Sequence, residues 1–260
     1  MNHKNTIEKM KQMRLLGMAD CYYQSTQNHL YEDYTTDQYL ALLIDQECES
    51  RQQKKINNLI KSAGYKINAS ITNVDYTAHR GLNKNEFERL ASLDFMTRKE
   101  NIIFTGATGT GKSYLAQAIG YESCKRVFKT LYVNTSKFME QVKVAKLEGS
   151  YAKFLDKIDK QQLLILDDFG LFEFDNTTRQ ALMDIVEAKY DKGSMIIASQ
   201  IPVSNWHQLI GEGTIADAIL DRVVNAAHRI NLTGESLRKN RVKNLKKIMS
   251  NFETKSAKSY

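Results

Sequence analysis

Proline is nearly absent from the 260 residues, with Pro202 alone, and cysteine is scarce: Cys21, Cys48 and Cys124 lie far apart and are odd in number. Three scattered thiols suggest neither a disulfide frame nor a zinc site, and the expectation is buried thiols in a reducing cytosol. Long apolar runs are missing too. The tightest, such as Leu163 to Leu166, have the length of a core strand and fall far short of the ~18 residues of a membrane helix. Met1 to Gln12 mixes charges with apolar residues, which argues against a secretory signal. Internal repeats and low-complexity segments are not seen. What is present is an ordinary globular composition, 42% hydrophobic and 26% charged with 13 Gly, too apolar for a disordered chain. A soluble cytoplasmic protein is expected, with one large domain plus a small one, or two of moderate size.

The net charge of +7 is unevenly placed. From Gly234 to the end, Arg238, Lys239, Arg241, Lys243, Lys246, Lys247, Lys255 and Lys258 face only Glu235 and Glu253, whereas the other 29 basic and 28 acidic residues nearly balance. A chain whose excess charge sits at one end is suited to touch a polyanion there. A solvated helix face or a solubilising tail is the alternative.

Near the N-terminus, Leu40, Leu43, Ile44 and Cys48, then Ile56, Leu59, Ile60 and Ala63, recur at helical spacing, with Glu47, Glu49, Arg51, Gln52, Lys54 and Lys55 on the wet side. Gly64 follows where a left-handed cap is wanted. Ile7, Met10, Met13, Leu16, Met18 and Cys21 allow a further short helix ahead of it. The reading is a helical module at 1–65, a polar connector at 66–85, a core at 86–233 and a basic C-terminal segment, read as a helix, at 234–260. Within the core, strands are expected at Asn101–Thr105, Thr130–Asn134, Leu163–Asp167, Met195–Ser199 and Arg229–Leu232. Helical segments such as Ser113–Lys125, Ser136–Leu147 and Thr178–Lys189 separate them. Strand–helix alternation with non-alternating apolar strands argues for an α/β fold, a parallel sheet covered by helices on both faces.

The most specific signal is Gly106-Ala107-Thr108-Gly109-Thr110-Gly111-Lys112-Ser113, a G-x-x-x-x-G-K-[ST] phosphate loop between the apolar strand Ile102–Phe104 and a helix opening with Tyr114. Glycines let main-chain N–H groups wrap a phosphate, and the helix N-terminus adds partial positive charge. Lys112 would reach the β- and γ-phosphates, and the Ser113 hydroxyl would bind Mg2+. Leu163 to Leu166 then lead into Asp167 and Asp168 at a strand's carboxyl end, where catalytic groups of such sheets gather. There Asp167 can hold the Mg2+ shell and Asp168 can polarise an attacking water, giving ATP or GTP hydrolysis. Gln200, after the strand Met195–Ser199, could bond the γ-phosphate or the water, or could simply start the loop into Pro202.

Several segments together carry a resemblance: Glu100 through Gly120, Leu166-Asp167-Asp168-Phe169-Gly170, Ala198 through Val203 with Trp206, and Ile219-Leu220-Asp221-Arg222-Val223. Leu42–Gly64 and Gly234-Glu235-Ser236-Leu237-Arg238-Lys239 extend it over almost the whole chain. The sequence resembles the IstB-type transposition helper ATPases, which belong with DnaC-type helicase loaders to the initiator branch of the AAA+ family. The resemblance implies a P-loop AAA+ core and an ATP- and Mg2+-dependent homo-oligomer that assembles on double-stranded DNA. It also implies help to a partner transposase in target-site insertion, with no membrane involved. The active site would be shared between subunits, Arg222 matching the arginine finger supplied in trans; an intramolecular Asp–Arg pair is the alternative. Arg238 falls where many AAA+ proteins place a second sensing arginine. Lys189-Tyr190 stands where relatives often have Arg-Tyr, and Ala107-Thr108 where a Pro-Pro pair is common.

This branch also implies an added helical element between the second and third strands, which Ser136–Lys160 is long enough to hold. Its Lys137, Lys143 and Lys146, with Lys153 and Lys157, could contact DNA phosphates, as could Arg238, Lys239 and Arg241 of the tail, or be plain surface cations. With no zinc finger, RNA-recognition motif or basic zipper in the sequence, little base specificity is expected. Other readings are a helicase loader, a nucleotide kinase, for which no Arg-rich lid is recognisable, and an adaptor that uses ATP only to assemble.

Overall fold

The structure, a computed structural model, describes residues 3–77 and 80–237. It divides into two compact units, Met1–Leu59 and Ile60–Tyr260. No helix among the described residues is long and apolar enough to cross a membrane.

The first unit is built from α1 (His3–Gln12), α2 (Leu16–Gln27) and most of α3 (Thr36–Ala63). Gly17 sets how closely α2 approaches α3, since a Cβ there would lie 2.5 Å from Gln46 O and 2.9 Å from Glu47 Cα. Glu47 is buried instead of wet. Its Oε2 accepts the Gly17 and Met18 amides at 2.8 and 3.2 Å, and its Oε1 meets Arg51 Nε at 2.6 Å. The carboxylate thus satisfies donors that the first turn of α2 cannot pair internally. Burial alone would raise its pKa, but Arg51 and the two amides outweigh that and hold it below the usual carboxylate value. Within the stripe read as core, Leu43 is buried while Leu40, Ile44 and Cys48 are exposed. Of the three thiols only Cys124 is buried, and all three are free.

The second unit starts with the end of α3, closed by Gly64 at φ +79°, and a connector holding one short 3-10 turn. There follow α4 (Lys84–Ala91), α5 (Asp94–Thr97), β1 (Asn101–Gly106), α6 (Lys112–Lys125), β2 (Thr130–Asn134), α7 (Thr135–Leu147) and α8 (Tyr151–Asp159). Then come β3 (Leu163–Phe169), α9 (Asn176–Lys189), β4 (Ser194–Ser199), α10 (Trp206–Ile210), α11 (Gly213–Val224) and β5 (Ala227–Leu232). The five strands form one all-parallel sheet in the order β2-β3-β4-β1-β5.

The unbroken apolar runs of the strands have a direct cause: successive side chains enter opposite cores. Ile103, Leu164, Leu166, Met195 and Ile197 pack with Phe138, Leu182, Ile185, Trp206 and Ile219 of α7, α9, α10 and α11. Ile102, Phe104, Leu163, Ile165 and Ile196 pack with Phe87, Phe95, Leu115 and Ile119 of α4, α5 and α6. The expected helix-covered sheet is what the structure has. Two helices, α7 and α8, lie between the second and third strands, separated at Gly149, where φ is +70°. The basic C-terminal segment read as a helix lies, from Arg238 on, outside the described residues.

Candidate nucleotide site

The phosphate loop leaves β1 and runs into α6, with Gly106, Gly109 and Gly111 all at positive φ, a conformation costly for residues with a side chain. Thr110 is buried beneath it, its hydroxyl donating to Ala107 O at 2.9 Å. Lys112 is almost wholly buried and folds back over the loop, its Nζ donating to Gly106 O at 2.7 Å and Ala107 O at 2.8 Å. Burial pulls its pKa down, with Asp167 and Asp168 opposing. A phosphate in the cradle would offer this ammonium a charged acceptor in place of two neutral ones.

Asp167 and Asp168 are adjacent in a strand, so a regular pleat would point them to opposite faces. A bulge prevents this. Leu166 pairs with Ile197 and Phe169 with Ser199, so β3 carries one residue more than β4 in between, and Asp168 sits at φ +57°. Asp167 is buried, accepting from Ser113 Oγ at 2.9 Å and from Tyr132 OH at 2.6 Å. The Tyr132 hydroxyl is held well above its usual pKa by burial and then by Asp167, so it remains a donor. Asp168 accepts from Asn134 Nδ2 at 2.8 Å. Gln200, at the end of β4, accepts from Thr108 Oγ1 at 2.5 Å and so reaches the loop.

Ser113 Oγ and Asp167 Oδ1 bring two hard oxygen donors together beside the loop, the donor type that Mg2+ takes when it completes its shell with phosphate and water. No group of three or more His, Cys, Asp or Glu that could cage a metal occurs among the described residues.

Arg222 stands apart from these groups, in the last turn of α11, a helix tied to β1 by Asn101 Nδ2 donating to Val223 O at 3.1 Å. Its Nε lies 3.0 Å from Glu187 Oε2 without hydrogen-bond geometry, Nη1 donates to Ala218 O, and the guanidinium lies 5.6 Å from the Tyr190 ring centroid. Its acidic neighbour is therefore a glutamate of α9, not an aspartate. Lys189 is 2% exposed, its Nζ donating to Asp159 O and Gln161 O. Burial lowers its pKa to about 8. So placed, it ties the end of α8 to α9 and does not face outward.

The lysines of the added helices are not equivalent. Lys143 pairs with Asp175 at 2.6 Å, and Lys146 donates to Thr177 O while lying 4.7 Å from the Tyr151 ring centroid, whereas Lys137 is exposed. Lys143 and Lys146 thus brace α7 against the start of α9. Arg238, Lys239 and Arg241 lie outside the described residues. Sequence reading missed Tyr132 and Asn134; only their position at the end of the strand beside β3 could have hinted at them.

Sheet order, phosphate loop and the paired carboxylates define a P-loop nucleotide-binding domain of the AAA+ type. The chain belongs to the family of IstB-like ATP binding proteins, whose model matches residues 8–245. It is similar to the insertion sequence ATP-binding protein y4pL of Sinorhizobium fredii, 38% identical over 235 residues covering 90% of this chain and 96% of that one. It is also similar to the insertion sequence IS5376 ATP-binding protein of Geobacillus stearothermophilus, 31% identical over 86% of this chain and 87% of that one. Among solved structures, DnaI shares the fold with a TM-score of 0.56 and 21% identity, over 68% of this chain and 94% of that one. AMPPCP-bound DnaA from Aquifex aeolicus shares it with a TM-score of 0.55 and 21% identity, over 71% and 56%.

Proposed function

We propose that this protein is a cytoplasmic Mg2+-dependent ATPase that oligomerises on duplex DNA and assists a partner transposase in choosing and entering a target site. The observation that carries the hydrolytic part is the bulge at Asp167–Asp168. It sets one carboxylate against Ser113 at the phosphate loop, while the neighbouring carboxylate accepts from the neutral Asn134 amide. Asp167 and Ser113 hold the ion, whose charge would offset that building on the β- and γ-phosphates. Asp168 takes up the proton side of the attacking water, Gln200 orients that water or the γ-phosphate from β4, and Lys112 neutralises the departing charge.

The active site is completed by Arg222 of an adjoining copy. Arg222 has its neighbours on α9 and α11 and none among the phosphate-loop residues, which suits a group offered outward more than one serving its own loop. The transposase and DNA partners are supported by the insertion sequence relatives and by the basic tail; a Lys/Arg-rich tail suited to backbone phosphates favours binding without base readout. The test is ATP-dependent growth in mass on duplex DNA together with DNA-stimulated phosphate release. Lys112→Ala is expected to lose both. A chain that stays monomeric with saturating ATP and duplex while hydrolysing at full rate would overturn the shared site.

A further inference from the structure

The two oxygens of the Asp167 carboxylate are held by different groups. Ser113 Oγ and the Asp168 amide donate to Oδ1 at 2.9 and 3.0 Å, while Tyr132 OH donates to Oδ2 at 2.6 Å. Thr135 Oγ1 donates to the Asp167 main-chain carbonyl at 2.7 Å, a contact that leaves the carboxylate untouched. The tyrosine comes from the neighbouring strand. In the parallel register Tyr132 pairs with Ile165 and Asn134 with Asp167, and Ile165 and Asp167, two residues apart, share the sheet face on which Tyr132 packs. Tyr132 is 4% exposed and its ring centroid lies 6.2 Å from that of Tyr65, so the hydroxyl has little room to move. It takes no part in the chemistry proposed above, yet it makes the shortest of the contacts to this carboxylate.

We infer that Tyr132 is a positioning residue that limits Asp167 to one oxygen toward its ion and so selects Mg2+ over the larger Ca2+. This rests on the reading that Asp167 and Ser113 hold the ion. Mg2+ keeps a strict octahedral shell with several waters and asks a single oxygen of a carboxylate. Ca2+ takes more oxygens at longer range and accepts both from one carboxylate. Oδ1 already faces Ser113 Oγ, the other donor to the ion. For Oδ2 to join it, the carboxylate would have to turn out of the Tyr132 bond and leave a buried hydroxyl unpaired, which is costly. Ca2+ therefore loses the two-oxygen mode that would favour it, and Mg2+ loses nothing. Removing the hydroxyl reverses both effects. The carboxylate then has no set orientation, which weakens the hold on Mg2+ as the loss of an outer partner does at metal sites, and it is free to close on Ca2+ with both oxygens. Phenylalanine has nearly the volume of tyrosine, so the packing of the ring is kept.

The test uses the full chain and a fluorescent, non-hydrolysable ATP analogue, so that binding is read without turnover. Analogue affinity is measured in chelator and then across titrations of Mg2+ and of Ca2+, for the wild type, Tyr132→Phe, Thr135→Val and Asp167→Asn. In chelator Tyr132→Phe is expected to bind within about twofold of the wild type, far from the tenfold of a lost strong contact. Its Mg2+ requirement is expected to rise about tenfold or more, while its Ca2+ requirement moves by less than about threefold because the freed oxygen compensates. The preference for Mg2+ is thus lost in Tyr132→Phe and kept in Thr135→Val, which loosens Asp167 without freeing Oδ2. Equal movement of both ions in Tyr132→Phe, movement of neither, or the same loss of preference in Thr135→Val would overturn the selective role. So would a Tyr132→Phe chain that no longer binds analogue in chelator, since the hydroxyl would then serve the fold. A wild type whose analogue binding Mg2+ does not tighten, or an Asp167→Asn chain that it tightens equally, overturns the ion reading itself, and the selection falls with it.

Discussion

Asn134 Nδ2 donates to Asp168 Oδ2 over 2.8 Å, from the last residue of β2 to the bulge of β3. The same side chain accepts the Lys137 amide as the N-cap of α7. Asn134→Asp keeps an equally good cap but sets two carboxylates face to face, so that one of the pair retains a proton at higher pH. ATP hydrolysis by this variant is expected to fall at neutral pH and recover as pH rises, with unfolding temperature unchanged. A pH–rate profile identical to that of the wild type would show that Asp168 plays no part in handling the proton.

Arg222 makes its contacts on α9 and α11, with Glu187, Tyr190 and Ala218. If it serves a neighbour, Arg222→Ala lowers hydrolysis by roughly a thousandfold, the scale of an arginine finger. Mixing it with Asp168→Asn, itself inactive, then restores activity at junctions that pair an intact carboxylate with an intact arginine. Failure of the two inactive variants to complement would place Arg222 in a structural role.

Gly17 lies where a Cβ would press on the main chain of α3. Gly17→Ala is expected to cost about 1–3 kcal/mol, the usual cost of overpacking, and to leave nucleotide affinity unchanged. Thermal unfolding of the full chain reads the first effect and analogue titration the second; an unshifted transition would mean that the helices separate without cost.

The Lys189 amine is held at about 8, below the ~10.4 of a free lysine. Between those values the unfolded chain binds a proton that the folded chain has released, so stability rises with pH over that window and is flat, for this group, below it. Lys189→Gln keeps donors for the two carbonyls and removes the titration. Denaturant unfolding between pH 7 and 10 (a range set by the two pKa values) is expected to show this component of the slope in the wild type and not in the variant. Equal slopes would mean that the amine is not desolvated.

Much of the fold was legible in the chain itself. Strands such as Leu163–Leu166 announced a sheet buried on both faces because their apolar runs do not alternate, and the phosphate loop is local chemistry that needs only neighbours in sequence. What depends on distant neighbours was not legible. Glu47 looked like part of a wet helix face, yet it caps another helix 30 residues away. Asp167 and Asp168 look like a strand ending in two acids, and only the register with β4 reveals the bulge between them. Lys143 and Lys146 look like members of one surface row, yet each also braces α7 against the start of α9, because the partner of a surface cation is set by the fold and not by its spacing. Tyr132 had no motif to announce it.

The hydrolytic assignment rests on Asp168 acting on water while the loop alone holds nucleotide. Its most direct test is phosphate release by Asp168→Asn in the presence of Mg2+ and duplex, with analogue affinity measured on the same preparation. Release is expected to fall by about a hundredfold or more while the analogue binds within about twofold of the wild type, far less than the tenfold that 1.4 kcal/mol represents. Release at the wild-type rate with binding intact would contradict it.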